Sequence, residues 1–158
     1  MQDRLFDGYL LTCDAGKIDP EQAVKLLNQT YWGLERDLPK MKRIIANSLN
    51  CGLLDGEGRL AGYMRAITDY ETTFYLADVV IDPALRGRGL GKAMVGYLLA
   101  HEGLQGLRGL LRTRDAFRYY EPFGFRRQDE RVMTREGRET AGRQGAGKAS
   151  LVREYPIL

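Results

Sequence analysis

Six residues near the middle of the chain, Arg86-Gly-Arg-Gly-Leu-Gly91, have the types and spacing to hold an anion. Glycine at 87, 89 and 91 permits φ > 0 and lets a ligand approach the backbone with no Cβ in the way. The segment follows an apolar run, Val79-Val-Ile81, and precedes an amphipathic stretch. Its free N–H groups would therefore converge at a helix N-terminus bearing roughly half a positive charge. Arg86, Arg88 and Lys92 add side-chain charge to the same place. This chemistry suits a phosphate or pyrophosphate; the plainer reading is a Gly-rich strand-to-helix turn.

Two familiar phosphate loops fit poorly. A dinucleotide fingerprint needs Gly-x-Gly-x-x-Gly with an acid at a following strand end, whereas this run is Gly-x-Gly-x-Gly and lacks the acid. A Walker loop ends in Lys-Ser/Thr; Gly142-Arg-Gln-Gly-Ala-Gly147-Lys148 comes close, but residue 149 is Ala and no apolar strand precedes it.

The elements that must position the loop can be read from periodicity. Gly8–Cys13 is a short apolar strand, and Asp19-Pro20 opens a helix over Glu21–Asn28. A second helix runs from about Pro39 to Ser48, with Met41, Ile44, Ile45 and Leu49 on one face. Strands follow at Cys51–Leu54, Leu60–Thr68 and Thr73–Ile81, the first two joined by the turn signal Asp55-Gly-Glu-Gly58. Asp82-Pro83 ends the third. The helix Gly89–Glu102 repeats Leu90, Ala93, Met94, Tyr97, Leu98 and His101 at helical spacing. Leu107–Leu111 reads as a strand, Asp115–Glu121 as a short helix, Phe123–Gln128 as a strand, and Val132–Thr134 as another. Residues 136–158 read as a Gly/Arg-rich loop and a C-terminal segment docked on a single domain over 1–135. Leu151–Leu158 is apolar enough to form an edge strand or to meet a partner, and a homodimer is one expectation. The order β-α-α-β-β-β-α-β-α-β-β describes a mixed α/β domain of the α+β kind.

Bulk properties narrow the classes. The 158 residues, 44% apolar and 28% charged, suffice for one globular domain with a real core. No stretch approaches the roughly 18 apolar residues of a membrane span, and the N-terminus lacks a signal-peptide pattern. Cys13 and Cys51 sit in apolar runs and read as reduced core thiols, which makes the cytoplasm the expected compartment. The net charge of +3 is small, and acids interrupt the arginines, as in Asp129-Glu130-Arg131. Neither nucleic acid nor a membrane is an expected partner, and no metal is expected.

The run Arg86-Gly-Arg-Gly89-Leu-Gly91 after Ile81-Asp-Pro83 resembles the acyl-CoA loop of the GNAT superfamily of N-acyltransferases, Arg/Gln-x-x-Gly-x-Gly/Ala. Downstream, Ala116-Phe-Arg-Tyr-Tyr120-Glu-Pro-Phe-Gly124-Phe125 is similar to that family's Ala-x-x-Phe-Tyr-x-x-x-Gly-Phe. The resemblance covers roughly residues 8–135. Tyr31-Trp32, Arg36, Asp69-Tyr70 and Asp78-Val79 further resemble a group of small bacterial members with unassigned acceptors.

The resemblance implies a central mixed, mostly antiparallel sheet of about six or seven strands flanked by about four helices. It implies acetyl-CoA as co-substrate, held by Arg86, Gly87, Arg88, Gly89, Leu90, Gly91 and Lys92. The backbone of Val79, Val80 and Ile81 would splay from its neighbour and serve the pantetheine and the acyl carbonyl. Tyr120 takes the place of the general acid that protonates the leaving sulfur, since a phenol with pKa of about 10 is protonated at pH 7. Thr113 stands where many relatives carry an asparagine that touches pantetheine. The acceptor is a small amine, an amino-acid-like molecule or a protein amine. Tyr31, Trp32, Arg36, Arg65 and Asp69 come from segments that would flank the thioester, and an arginine there could hold a carboxylate. No base is evident; Asp78, Asp69, Glu71 and Glu35 are candidates acting through water. The alternative is a non-catalytic acyl-CoA-binding or regulatory module on the same fold.

Overall fold

The structure, a computed structural model, describes residues 1–30 and 36–128. Tyr31, Trp32 and Glu35, the strand expected at Val132–Thr134, and residues 136–158 lie outside the described residues. The chain divides into one unit over Met1–Phe125 and another over Arg126–Leu158; the first is described below.

Six strands form one sheet in chain order: β1 (Arg4–Phe6), β2 (Tyr9–Thr12), β3 (Leu49–Leu54), β4 (Leu60–Thr68), β5 (Thr73–Ile81) and β6 (Arg108–Leu111). All neighbours are antiparallel except β5 and β6, which are parallel. Among the described residues four α-helices accompany the sheet: α1 (Pro20–Leu27), α2 (Leu38–Ala46), α3 (Leu90–Leu99) and α4 (Phe117–Tyr120). The strands over 60–68 and 73–81 fall where the alternation predicts. The N-terminal strand is instead a hairpin, because Asp7 (φ 50°) and Gly8 (φ 80°) form a tight turn between β1 and β2. The strand expected over Phe123–Gln128 is not formed: Pro122 lies in a 3-10 turn over Glu121–Phe123, Gly124 turns left-handed at φ 85°, and residues 125–128 join no ladder.

Adjacent side chains along a strand point to opposite faces, so both faces of the sheet carry core. On one, Leu53, Met64, Ala66, Phe74 and Leu76 pack with Leu90, Met94, Val95 and Leu98 of α3. On the other, Leu54, Leu60, Tyr63 and Val80 pack with Ala23 and Leu27 of α1 and Met41 and Ile45 of α2. Close approach is helped at Gly62, where a Cβ would fall 2.6 Å from Ile81 Cδ1 and 2.8 Å from Met94 Sδ.

The two core lists expose an irregularity in β5. Strict alternation would put residues 74, 76 and 80 on one face, yet Val80 lies on the face opposite Phe74 and Leu76. The register explains the reversal: Arg65 pairs with Ala77, while Tyr63 pairs with Val80, so β5 carries an extra residue. Asp78, at φ 57°, occupies this bulge. A non-glycine residue in that region costs about 1–2 kcal/mol and needs a compensating contact. The contact is a buried ion-pair cluster. Arg36 Nη1 and Nη2 donate to the two Asp78 oxygens, each at 2.7 Å, and Arg65 Nε donates to Oδ2 at 2.6 Å.

Removing the carboxylate would leave two guanidinium groups buried without their counter-ion. Asp78→Ala is therefore expected to lose about 3–5 kcal/mol of stability. A urea titration reads this directly, and an unchanged midpoint would contradict the account of the bulge.

Candidate active site

The bulge lies where the sheet opens. The β5–β6 ladder runs from Thr73↔Arg108 to Leu76↔Leu111 and stops, while β5 continues to Ile81 against β4 alone. Val79, Val80 and Ile81 thus have no strand on their β6 side among the described residues. The residues at which a splay is expected are the ones past the end of this ladder.

At the end of β5, Asp82 N donates to Ala61 O at 2.9 Å, and the Asp82 side chain caps a 3-10 turn over Pro83–Leu85. The chain then passes Gly87 (φ 82°) and Gly89 (φ 77°) into α3. Asp19 caps α1 and Asp37 caps α2, each accepting from a first-turn N–H. The N-cap of α3 is Gly89, which offers no side-chain acceptor. The first-turn N–H groups of α3 therefore face outward under the helix dipole, ready for an external anion. Arg86 and Lys92 are exposed beside them.

Arg88, expected in the anion site, makes contacts of its own with the β1–β2 hairpin. Its Nη2 pairs with Asp7 at 2.6 Å, its Nη1 lies 3.3 Å from Tyr9 Oη, and its guanidinium sits 5.3 Å from the Tyr9 ring centroid. In this structure its side chain ties the loop to the β1–β2 turn. Gly91 has a second role: a Cβ there would stand 2.5 Å from Tyr119 Oη, so its bareness admits the tyrosine hydroxyl against the helix start.

Tyr120 is half-buried in an aromatic group, with the Tyr119 ring at 4.9 Å and the Phe125 ring at 6.1 Å. Burial pushes its hydroxyl above the ordinary phenol value, and pushes that of Tyr119 up to about 12. Both hold their protons at neutral pH. Thr113 Oγ1 accepts from Ala116 N at 3.0 Å, so it caps the turn leading into α4.

Asp78, a candidate base acting through water, accepts three guanidinium N–H bonds instead. Burial pulls its carboxyl pKa upward, but the hydrogen bonds and charges of Arg36 and Arg65 outweigh it, and the net direction is down. Asp69 lies in the β4–β5 turn, at the opposite end of β5 from Ile81. Its carboxylate accepts from the backbone of Glu71, Thr72 and Thr73 and from the Thr72 hydroxyl. His101 caps a 3-10 turn through Gly103 N. Around Arg65 the structure adds residues the sequence did not single out. Ser48 Oγ accepts from Arg65 Nη1 at 3.1 Å, and nearby Tyr63 Oη donates to Asn50 Oδ1 at 2.7 Å. Among the described residues no His/Cys/Asp/Glu cluster suits a metal, and no helix is long and apolar enough to cross a membrane.

A six-stranded mixed sheet, opened beside a bulge and followed by a glycine loop at an uncapped helix, defines an acyltransferase fold, and comparison with known proteins agrees. The family model of the acetyltransferase (GNAT) domain matches residues 47–127. A solved structure from Xanthomonas campestris pv. campestris, assigned to the GNAT family, is 34% identical with a TM-score of 0.76, over 82% of this chain and 93% of that one. The chain belongs to the GNAT acetyltransferase family. The fold alone is shared with glucosamine-6-phosphate N-acetyltransferase from Arabidopsis thaliana, at 17% identity and TM-score 0.59 over 80% of this chain and 97% of that one. It is likewise shared with a transcriptional regulator from Bacillus halodurans C-125, at 23% identity and TM-score 0.59 over 75% and 93%. Among curated proteins nothing matches the sequence.

The Asp78 cluster has a consequence for pH. Because the folded carboxyl binds its proton less readily than an unfolded one, it stabilises the fold above the ordinary value of about 3.9. That contribution is lost as pH falls through the lower folded value. Urea midpoints measured from pH 7 down to 3 should therefore fall more steeply below pH 4 than those of Asp78→Asn; parallel curves would contradict this.

Proposed function

We propose that the protein transfers an acetyl group from acetyl-CoA to a primary amine by direct attack of the amine on the thioester. The observation that carries this reading is the uncapped α3 N-terminus behind Gly87 and Gly89, placed at the end of β5 where the ladder to β6 has stopped. In this reading the N–H groups of residues 87–92, with Arg86 and Lys92, hold the CoA pyrophosphate. The open edge of Val79–Ile81 receives the pantetheine arm, and a backbone N–H there stabilises charge developing on the thioester oxygen. Thr113, occupied as a turn cap, has a lesser part in holding pantetheine than the asparagine it replaces.

Tyr120 donates its proton to the leaving sulfur; its half-buried, protonated phenol supports that role. The charge ledger closes simply. The amine nitrogen gains the acyl carbon and gives up a proton, while the sulfur loses that carbon and accepts one. Asp78 is a poor candidate for the base, because its lone pairs are committed to arginines and its proton affinity is lowered. We assign it instead to holding the bulge. Asp69, sequestered in its turn, is left out of the acceptor pocket, to which Arg36 and Arg65 belong.

Two measurements test the reading. Acetyl-CoA at 100 times its Kd should stabilise the protein by about 2.7 kcal/mol through linkage, seen as a rise in Tm. Tyr120→Phe should keep that shift while lowering kcat for thiol release by about 100-fold or more. Undiminished turnover in Tyr120→Phe would remove the general-acid assignment. CoA binding with no turnover across a broad amine panel would favour a non-catalytic acyl-CoA-binding module.

A further inference from the structure

Counted over the described residues, the cluster that holds the bulge is not neutral. Arg36 and Arg65 face one carboxylate, Asp78, and no second carboxylate pairs with either arginine among the described residues. Both arginine side chains are largely buried, at 14% and 13% exposure. Among the described residues, one positive charge is therefore left over where charge is expensive to leave uncompensated. The donors are unequal as well. Arg36 gives both Nη groups to Asp78, whereas Arg65 gives Nε to Asp78 and Nη1 to Ser48. Nη2 of Arg65 has no partner among the described residues. Asp78 precedes Val79, the first residue of the stretch left unpaired on the β6 side, so this surplus charge stands beside that stretch and not at the glycine loop after Ile81.

We propose that the acceptor brings its own carboxylate, held by Arg65 Nη2 in the surplus field of the two arginines, so that the substrate class is amino acids and not simple alkylamines. This rests on the acetyl-transfer reading of the same site. A monoanion matches the surplus of one, and a carboxylate oxygen suits the unused N–H donors of Arg65 Nη2. A phosphate dianion would overshoot the balance. Arg65 then acts as a specificity residue that also supports the bulge, with Arg36 supplying charge while both of its Nη atoms bond Asp78.

The experiment compares free amino acids with their own amides, and with phosphoethanolamine, as acceptors for acetyl-CoA, reading kcat/KM by thiol release. Amidation of the carboxylate should lower kcat/KM about 10- to 100-fold, the loss of one charge-assisted hydrogen bond. Arg65→Met should erase the difference between acid and amide while the Tm shift with acetyl-CoA persists. If Arg65→Met fails to fold, the acid–amide comparison on the unaltered chain decides alone. Amides or phosphoethanolamine turned over as well as the free acids would overturn the proposal. So would acetyl-CoA stabilisation with no amino acid acetylated. Absence of any stabilisation by acetyl-CoA sinks the acetyl-transfer reading first, and this one with it.

Discussion

A single carboxylate clasped by two guanidinium groups shapes the functional end of this sheet. Asp78 sits in a backbone conformation that an unsupported aspartate would avoid, and its contacts with Arg36 and Arg65 supply the support. The cluster spans the sheet and the segment before α2, so it couples local backbone geometry to tertiary packing. Replacing all three charges by apolar groups could be neutral or stabilising, whereas losing one of them is costly. In this protein the cluster's value lies in where it sends the chain. The extra residue reverses the facing of β5, turning Val80 toward α1 and α2, just past the point where β6 departs.

The opening alone would be a defect; the proposed site also draws on the loop after it. Three helices of eight or more residues begin in different ways. Aspartates satisfy the first turns of α1 and α2, while α3 begins at a glycine that satisfies nothing. The contrast leaves first-turn N–H groups without a side-chain cap at one helix start only among these three. The surroundings hold that start still: Arg88 reaches back to the β1–β2 turn, and Tyr119 lays its hydroxyl against Gly91. A rigid receptor loses less entropy on binding than a mobile one. The aromatic group around Tyr120 extends this order to the far wall through the Phe125 and Phe74 rings.

How much of this was legible in the sequence depends on whether the signal was local. The strands at Leu60–Thr68 and Thr73–Ile81 and the helix from Leu90 carry strong periodicity, and the glycine loop is a contiguous motif, so all were readable. The β1–β2 turn was missed although Asp7-Gly8 is a common hairpin pair, because the flanking strands have only three and four residues. The short strand expected over Phe123–Gln128 gave way to Pro122 and the left-handed Gly124. Long-range partnerships left no trace. Arg36 and Asp78 are 42 positions apart, and Arg88 and Asp7 are 81 apart. Nothing in the local sequence tells a cofactor-facing arginine from one tied to a turn, or a base from a carboxylate already committed to ion pairs.

The account stands on the backbone of two short segments acting together as one receptor. Amide resonances followed by 15N–1H correlation spectroscopy during a titration with CoA test this most directly. The account predicts that the largest shifts fall on Val79–Ile81 and Gly87–Lys92, with those of β1 to β3 little changed. Shifts concentrated elsewhere, or binding that leaves the Gly87–Lys92 amides unmoved, would contradict it.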